Sequence, residues 1–165
     1  LSMIESAIDI SNQSIPLNTV ERIIQLGKTM LNKPVELLEG VEEVLKEVSK
    51  SYRLILATKG DLLDQERKLE KSGLTDYFHH IEILSEKKQE NYLKLLGHLD
   101  VNPSEFLMVG NSLKSDVLPV VELGGHAVHI PYHTTWAHEQ VSEEDTNGKH
   151  YKTVNNLKEI LKLLQ

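Results

Sequence analysis

Near residue 35 the apolar positions of the chain change their period. Upstream the spacing is helical. Leu1, Ile4 and Ile8, with Met3, Ala7 and Ile10, mark one amphipathic helix, and Val20, Ile23, Ile24, Leu26, Met30 and Leu31 mark a second. Ile15-Pro16 separates them. Asn18, three residues ahead of Glu21, has the form of a capping box, and Asn32-Lys33-Pro34 ends the second helix. No strand pattern lies nearby, so residues 1–33 are expected to form a small helical unit of their own.

From residue 34 to 165 short apolar runs alternate with amphipathic stretches. The spacing predicts a helix over 41–49, a strand over 53–58, a helix from Asp61 to a C-terminal Gly73, and a short strand in "IEIL". A helix in "KKQENYLKLLGHLD" follows. Asn102, Pro103 and Glu105 form a turn that feeds the strand "FLMVGN". "SDVLPVVELG" is a helix with Pro119 in its first turns, "HAVHIPY" a further strand, and "NLKEILKLLQ" a closing helix. Repeated strand–helix units predict an α/β domain with a parallel sheet and helices on both faces. The polar run "EQVSEEDTNGKH" is expected to be a mobile loop.

"FLMVGNSLKSDVLPVVELGG" is the most informative stretch. An apolar run stops at Gly110, where the chain is expected to turn sharply, and Asn111, Ser112 and Asp116 follow. In open α/β sheets ligands bind at the carboxyl ends of the strands. The other strand ends offer Thr58-Lys59-Gly60, then Lys87 and Lys88, then Pro131, Tyr132 and His133. A hydroxyl with free backbone N–H groups, a lysine and an amide–carboxylate pair suit a phosphate and a hard cation such as Mg²⁺. Each piece also has a plain structural reading. Threonine is common in strands, Lys87 can belong to a solvated helix start, and Asn111 and Asp116 can serve as turn and cap residues. Trp136, the only tryptophan, is taken as a packing anchor.

Composition narrows the field. The 165 residues suffice for one domain with a core and a small appendage. A net charge of −7 argues against nucleic acid as a partner. No apolar run approaches the ~20 residues of a membrane span, and no signal-peptide pattern is present. The chain has no cysteine, which removes disulfides, thiolate metal sites and cysteine nucleophiles and fits a cytoplasmic location. The eight histidines form no metal-ligand pattern: His79 and His80 are adjacent, and His133 and His138 lie in a loop. The chain opens on Leu1, without methionine, inside a helical pattern, so it is expected to be a piece of a longer protein.

Between about Leu38 and Trp136 the motifs, in this order, resemble those of the haloacid dehalogenase-like (HAD) hydrolase superfamily. "LILATKGD" resembles its second motif, a strand ending in Thr or Ser, here Thr58. Lys87, in "SEKKQEN", takes the place of the third-motif lysine, with Lys88 as the alternative register. "MVGNSLKSD" resembles the fourth motif, with Asn111 where an acid is usual and Asp116 supplying the acid. The resemblance implies a HAD-like, Rossmann-like three-layer αβα fold, with residues 1–33 as part of a helical cap and 34–165 as the core. It also implies Mg²⁺-dependent phosphatase chemistry on a small phosphorylated metabolite, through an aspartyl-phosphate. Thr58 and Lys87 would be catalytic. Thr58, Lys59, Gly60 and Lys87 would hold the phosphoryl oxygens at one shared anion site, and Asp116 with Asn111 would face the metal.

One departure from the pattern matters. The family's Asp-x-Asp nucleophile and the central strand before it are absent here, and Asp61 and Asp64, a D-x-x-D on a helix, cannot replace them. The chain alone is therefore expected to be inactive and to hold Mg²⁺ weakly or not at all. Its sheet is expected to be rearranged or swapped, or completed by a homo-oligomer or a complementing N-terminal segment. The alternative function is a non-catalytic phosphate- and metal-binding α/β module. A response-regulator-like domain is disfavoured, because its acidic cluster near the chain start is missing.

Overall fold

A computed structural model describes residues 2–134 and 139–164. Trp136 and His138 lie outside the described residues. The chain divides into two compact units, 1–36 and 37–165.

The first unit is a helical hairpin. Helix α1 spans Ser2–Ile10 and α2 spans Leu17–Asn32. Neither buries a residue within the described structure, so the apolar stripes seen in the sequence stay largely uncovered. The expected capping box does not form. Helix α2 starts at Leu17, its N-cap is Pro16 with no side-chain cap, and Asn18 falls inside the first turn. Proline just before a helix needs no N–H of its own there, and this wins over the Asn18–Glu21 spacing.

The second unit alternates helices and strands. In order these are α3 Val41–Val48, β1 Ile55–Lys59, α4 Leu62–Ser72, β2 His80–Leu84, α5 Gln89–Leu99, β3 Leu107–Gly110, α6 Leu118–Glu122, β4 His126–His129, α7 Glu143–Thr146, β5 Lys152–Thr153 and α8 Ile160–Leu163. Caps set several boundaries. The Asp61 carboxylate accepts from the Asp64 N–H at the start of α4, and Gly73 ends that helix with φ +70°. Asn102 and Glu105 close a reciprocal capping box over the 3₁₀ turn Pro103–Glu105 that leads into β3. The polar run after residue 138 holds more structure than expected. Ser142 and Asp145 form a capping box that starts α7, and β5 follows.

All strand pairs are parallel, but they form two sheets. Strand β1 pairs with β2, with Ile55 opposite His80. Strand β3 pairs with β4, Leu107 opposite His126, and β4 pairs with β5. Among the described residues no ladder joins β1 to β3. Apolar layers lie on both faces. On one face Tyr92 and Leu96 of α5 pack with Phe106, Met108 and Val120, and Ile55 and Ala57 of β1 join the same cluster. On the other, Val128, Val154 and Ile160 pack with Leu107, Val109 and Ile130. The result is the αβα layering expected from the sequence, with the C-terminal ends of β1, β2 and β3 delivering the candidate residues. Among the described residues no helix is long and apolar enough to cross a membrane.

Candidate functional site

After β3 the chain makes a π-helical turn, Leu113–Val117, before α6. The Val117 N–H reaches back to the Ser112 carbonyl over 3.2 Å, and Ser112 caps the turn by accepting from the Ser115 N–H. Single π turns are rare and often sit at functional sites. This one buries Asp116 and folds its side chain back over the end of β3. Gly110 serves that approach rather than a sharp turn. Its φ is not positive, and a Cβ there would run into the Asp116 carboxylate.

Both oxygens of Asp116 are engaged. Oδ1 accepts from Lys87 Nζ at 2.7 Å and Oδ2 from the Ser112 N–H at 3.0 Å. The Lys87 and Asp116 side chains are 11% and 6% exposed, so this is a buried ion pair. Lys88, the other lysine considered, is exposed and pairs with Glu86. The structure therefore turns Lys87, and not Lys88, toward the strand ends. Below the pair lies Tyr92, fully buried, whose hydroxyl donates to the Ser115 carbonyl at 3.0 Å. Burial, reinforced by the Asp116 charge, raises the Tyr92 phenol, so it stays a neutral donor.

A carboxylate that sequence reasoning missed completes the corner. Glu139 accepts from Lys59 Nζ at 2.7 Å and from the hydroxyls of Ser112 and Ser115. Burial pushes its carboxyl up, but the hydrogen bonds from Lys59, Ser112 and Ser115 and the Lys59 charge together outweigh that. They carry it from 4.5 down to about 2. The only signal in the sequence was an acid just beyond the fourth expected strand, within a run that looked like solvated loop.

Lys59, Lys87, Lys88, Lys114, Ser115 and Glu139 line one open cleft of about 560 Å³ at the C-terminal edge. Glu86, Glu90 and Glu122 line it too, so four glutamates face four lysines, and Lys59, Lys87 and Lys88 are each held in an ion pair. Thr58 stands at the same edge, with its hydroxyl donating to Gln65 Oε1 at 3.0 Å. Gly60 has φ +146°, and a Cβ there would press on the same Gln65 side chain. Asn111 is exposed, and its carbonyl accepts from the His129 ring. The rings of Tyr132 and His133 pack at a tilt of 41°, centroids 4.1 Å apart. Asp61 and Asp64 are structural: the first caps α4 and the second pairs with Lys68.

The residues present do not fit a Mg²⁺ site. The ion needs near-octahedral oxygen ligands from one or two carboxylates. Asp116, the acid at this strand end, already has both oxygens committed to donors. Among the described residues no three His, Asp or Glu side chains come together as a metal cluster.

Comparison with known proteins places these features. The model of a hydrolase family, the haloacid dehalogenase-like hydrolases, matches residues 7–124. The chain is 32% identical over 97 residues to the N-acylneuraminate-9-phosphatase of Rattus norvegicus, a match covering 56% of this chain and 39% of the rat protein. The human protein of that name is 30% identical over 97 residues, with the same coverage. The matched stretch is thus well under half of each curated relative. Among solved structures, a haloacid dehalogenase-like family hydrolase from Xanthomonas campestris superposes with a TM-score of 0.86 at 36% identity, covering 99% of this chain and 68% of that one. A HAD phosphatase from Thermococcus onnurineus superposes with a TM-score of 0.64 at 26% identity, covering 78% of this chain and 58% of that one.

Proposed function

The chain belongs to the haloacid dehalogenase-like hydrolases, and from that premise we propose that it is the anion-binding part of a phosphatase acting on a small phosphorylated metabolite. The observation that carries this reading is the buried Lys87–Asp116 pair beside a cleft at the strand ends to which Lys59 and Lys87 both contribute. Lys87 is a point charge already desolvated at the strand ends, where a phosphoryl group would develop negative charge in the transition state. Lys59, on the neighbouring strand, adds a second cation, and the N–H groups near Gly60 add donors without charge. In this reading Thr58 trades its bond to Gln65 for one to a phosphoryl oxygen. Asp116 holds Lys87 in place.

In this reading the attacking carboxylate is supplied by polypeptide outside these 165 residues, and Asp61 and Asp64 only cap and pair helix α4. Mg²⁺ would likewise draw its ligands from there. The name of the rat and human relatives makes N-acylneuraminate 9-phosphate the first substrate to try. The committed oxygens of Asp116 favour a second reading for the chain by itself: a module that binds phosphate without turning it over.

The test has two arms. Inorganic phosphate is titrated into the chain by calorimetry, and Lys87→Ala should abolish the binding. A longer protein that contains this sequence should hydrolyse the substrate, and Lys87→Ala should lower its rate by on the order of 10²–10³, the cost of one lost electrostatic contact. Phosphate binding indifferent to Lys87, or turnover by the 165-residue chain alone, would overturn the assignment.

A further inference from the structure

Two carboxylates meet at Ser112. Its N–H donates to Asp116 and its hydroxyl to Glu139. Each carboxylate also holds a lysine at a strand end: Asp116 pairs with Lys87 at 2.7 Å and Glu139 with Lys59 at 2.7 Å. Both lysines are therefore already paired. An arriving anion gains the full attraction of either one only by displacing its carboxylate. The two pairs are not equally fixed. Asp116 belongs to the π turn Leu113–Val117, and the Asp116 and Lys87 side chains are both buried. Pulling them apart would strand a buried charge. The Lys59 side chain is 38% exposed, so its ammonium is reached from the cleft. Glu139 lies in the connection between β4 and α7.

What holds Glu139 has the form of a binding site. Oε1 accepts from Lys59 Nζ, and Oε2 accepts from the hydroxyls of Ser112 and Ser115. These donors are placed by bonds of their own. Lys59 is the last residue of β1, in register with Leu84 of β2. Ser112 is buried, and its hydroxyl oxygen accepts from the Ser115 N–H at 2.9 Å. An ammonium and two hydroxyls that converge on a pair of acceptor oxygens suit an oxyanion of that shape. A phosphoryl group offers such a pair and brings more charge to Lys59 than the carboxylate does. The Glu139 carboxyl itself lies at about 2, so it is an anion near neutral pH.

We propose that Glu139 is the internal occupant of an anion subsite made by Lys59, Ser112 and Ser115, and that a phosphorylated ligand binds there by exchange, taking the place of the Glu139 carboxylate. The proposal rests on the anion-binding reading of the cleft and adds a built-in competitor to it. The competitor sets a threshold. Apparent affinity is scaled down by the fraction of molecules in which Glu139 has let go, and a released state populated at roughly 1–10% weakens binding by about 10–100-fold. In the exchange Lys59 and the two serines keep an oxyanion between them throughout, and Glu139 passes to the water of the open cleft.

The test titrates inorganic phosphate by calorimetry into the full 165-residue chain, into Glu139→Gln, into Glu90→Gln, and into the double variant Glu139→Gln with Lys59→Met. Glu90 lines the same cleft, so its variant removes an equal charge and leaves the Lys59–Glu139 pair intact. Melting curves establish that each variant is folded. Glu139→Gln should bind phosphate about 10–100-fold more tightly than the wild type, Glu90→Gln within about threefold of it, and Lys59→Met should cancel the gain. A second measurement needs no variant: in the wild type, saturating phosphate should shift the carbon-13 resonance of the Glu139 carboxyl, which a glutamate with a purely structural role would keep. Equal affinity of Glu139→Gln and wild type, an equal gain in Glu90→Gln, a gain that survives the loss of Lys59, or a Glu139 signal unmoved by phosphate would each overturn the proposal. Lys87→Ala separates it from the phosphatase reading. Phosphate binding that ignores Lys87 but still tightens in Glu139→Gln would overturn that reading and leave the exchange standing. Binding that needs Lys87 but gains nothing from Glu139→Gln would do the reverse.

Discussion

Replacing Lys87 by methionine removes one charge from a buried pair and leaves Asp116 with only the Ser112 N–H as donor. At 2.7 Å the attraction between unit charges is about 6 kcal/mol for an effective dielectric near 20. The measurable loss is smaller than that gross figure, because desolvation opposes pairing. Stranding a carboxylate that is 6% exposed should cost about 3–5 kcal/mol, a large part of the ~5–15 kcal/mol that holds a domain together. With a urea m-value near 2 kcal/mol/M the unfolding midpoint should fall by about 2 M. The informative comparison is the double variant Lys87→Met with Asp116→Asn. An amide keeps an acceptor for the Ser112 N–H and carries no charge, so most of the stability should return. The double variant should be more stable than Lys87→Met alone by more than about 1 kcal/mol. If the two substitutions simply add their losses, the two side chains are not an energetic pair and the reasoning fails.

Two further outcomes follow from the same corner. Glu139 is held near 2 in the folded chain against an ordinary 4.5, so its contribution is complete above 4.5 and is lost as pH falls toward 2. Urea midpoints measured from pH 6 down to pH 2 should therefore drop more steeply for the wild type than for Glu139→Gln, and parallel curves would show that Glu139 is not held as described. Gly110→Ala should displace the Asp116 carboxylate and cost about 1–3 kcal/mol by overpacking, read as a lower melting temperature together with loss of phosphate binding. An unchanged melting curve would mean that the π turn has room to spare.

What the sequence made legible was whatever local chemistry decides. Asp61 and Gly73 bracket α4 because a carboxylate cap and a left-handed glycine act within a few residues of themselves. The placement of Thr58 and Lys87 at strand ends followed from apolar runs bounded by polar residues. Glu139 was illegible because its partners, Lys59, Ser112 and Ser115, come from two other strand ends and leave no spacing to read. The same holds for β5, two residues long and defined only by its ladder to β4. Gly110 was noticed for the wrong reason, since the crowding that demands glycine comes from a side chain six positions later, brought back by a turn of unusual period. Asn18 shows the reverse case: a correct local motif overruled by a proline two residues before it.

Helix α5 separates the two sheets in sequence and packs against residues of both, which bears on how the molecule assembles. Ile55 meets His80 and Leu107 meets His126, so each pair of strands closes over a single helix-containing crossover. Search over such short separations is quick, and contact order rather than size dominates folding rates in small domains. Helix α5 is the last piece of the first half and the first neighbour of the second, and its Tyr92–Leu96 surface takes residues from both. Each half can thus form from near neighbours and meet the other on a surface already in place. Longer closures tie the start of the unit to its end, as where Tyr52, just before β1, reaches the Leu164 carbonyl after α8.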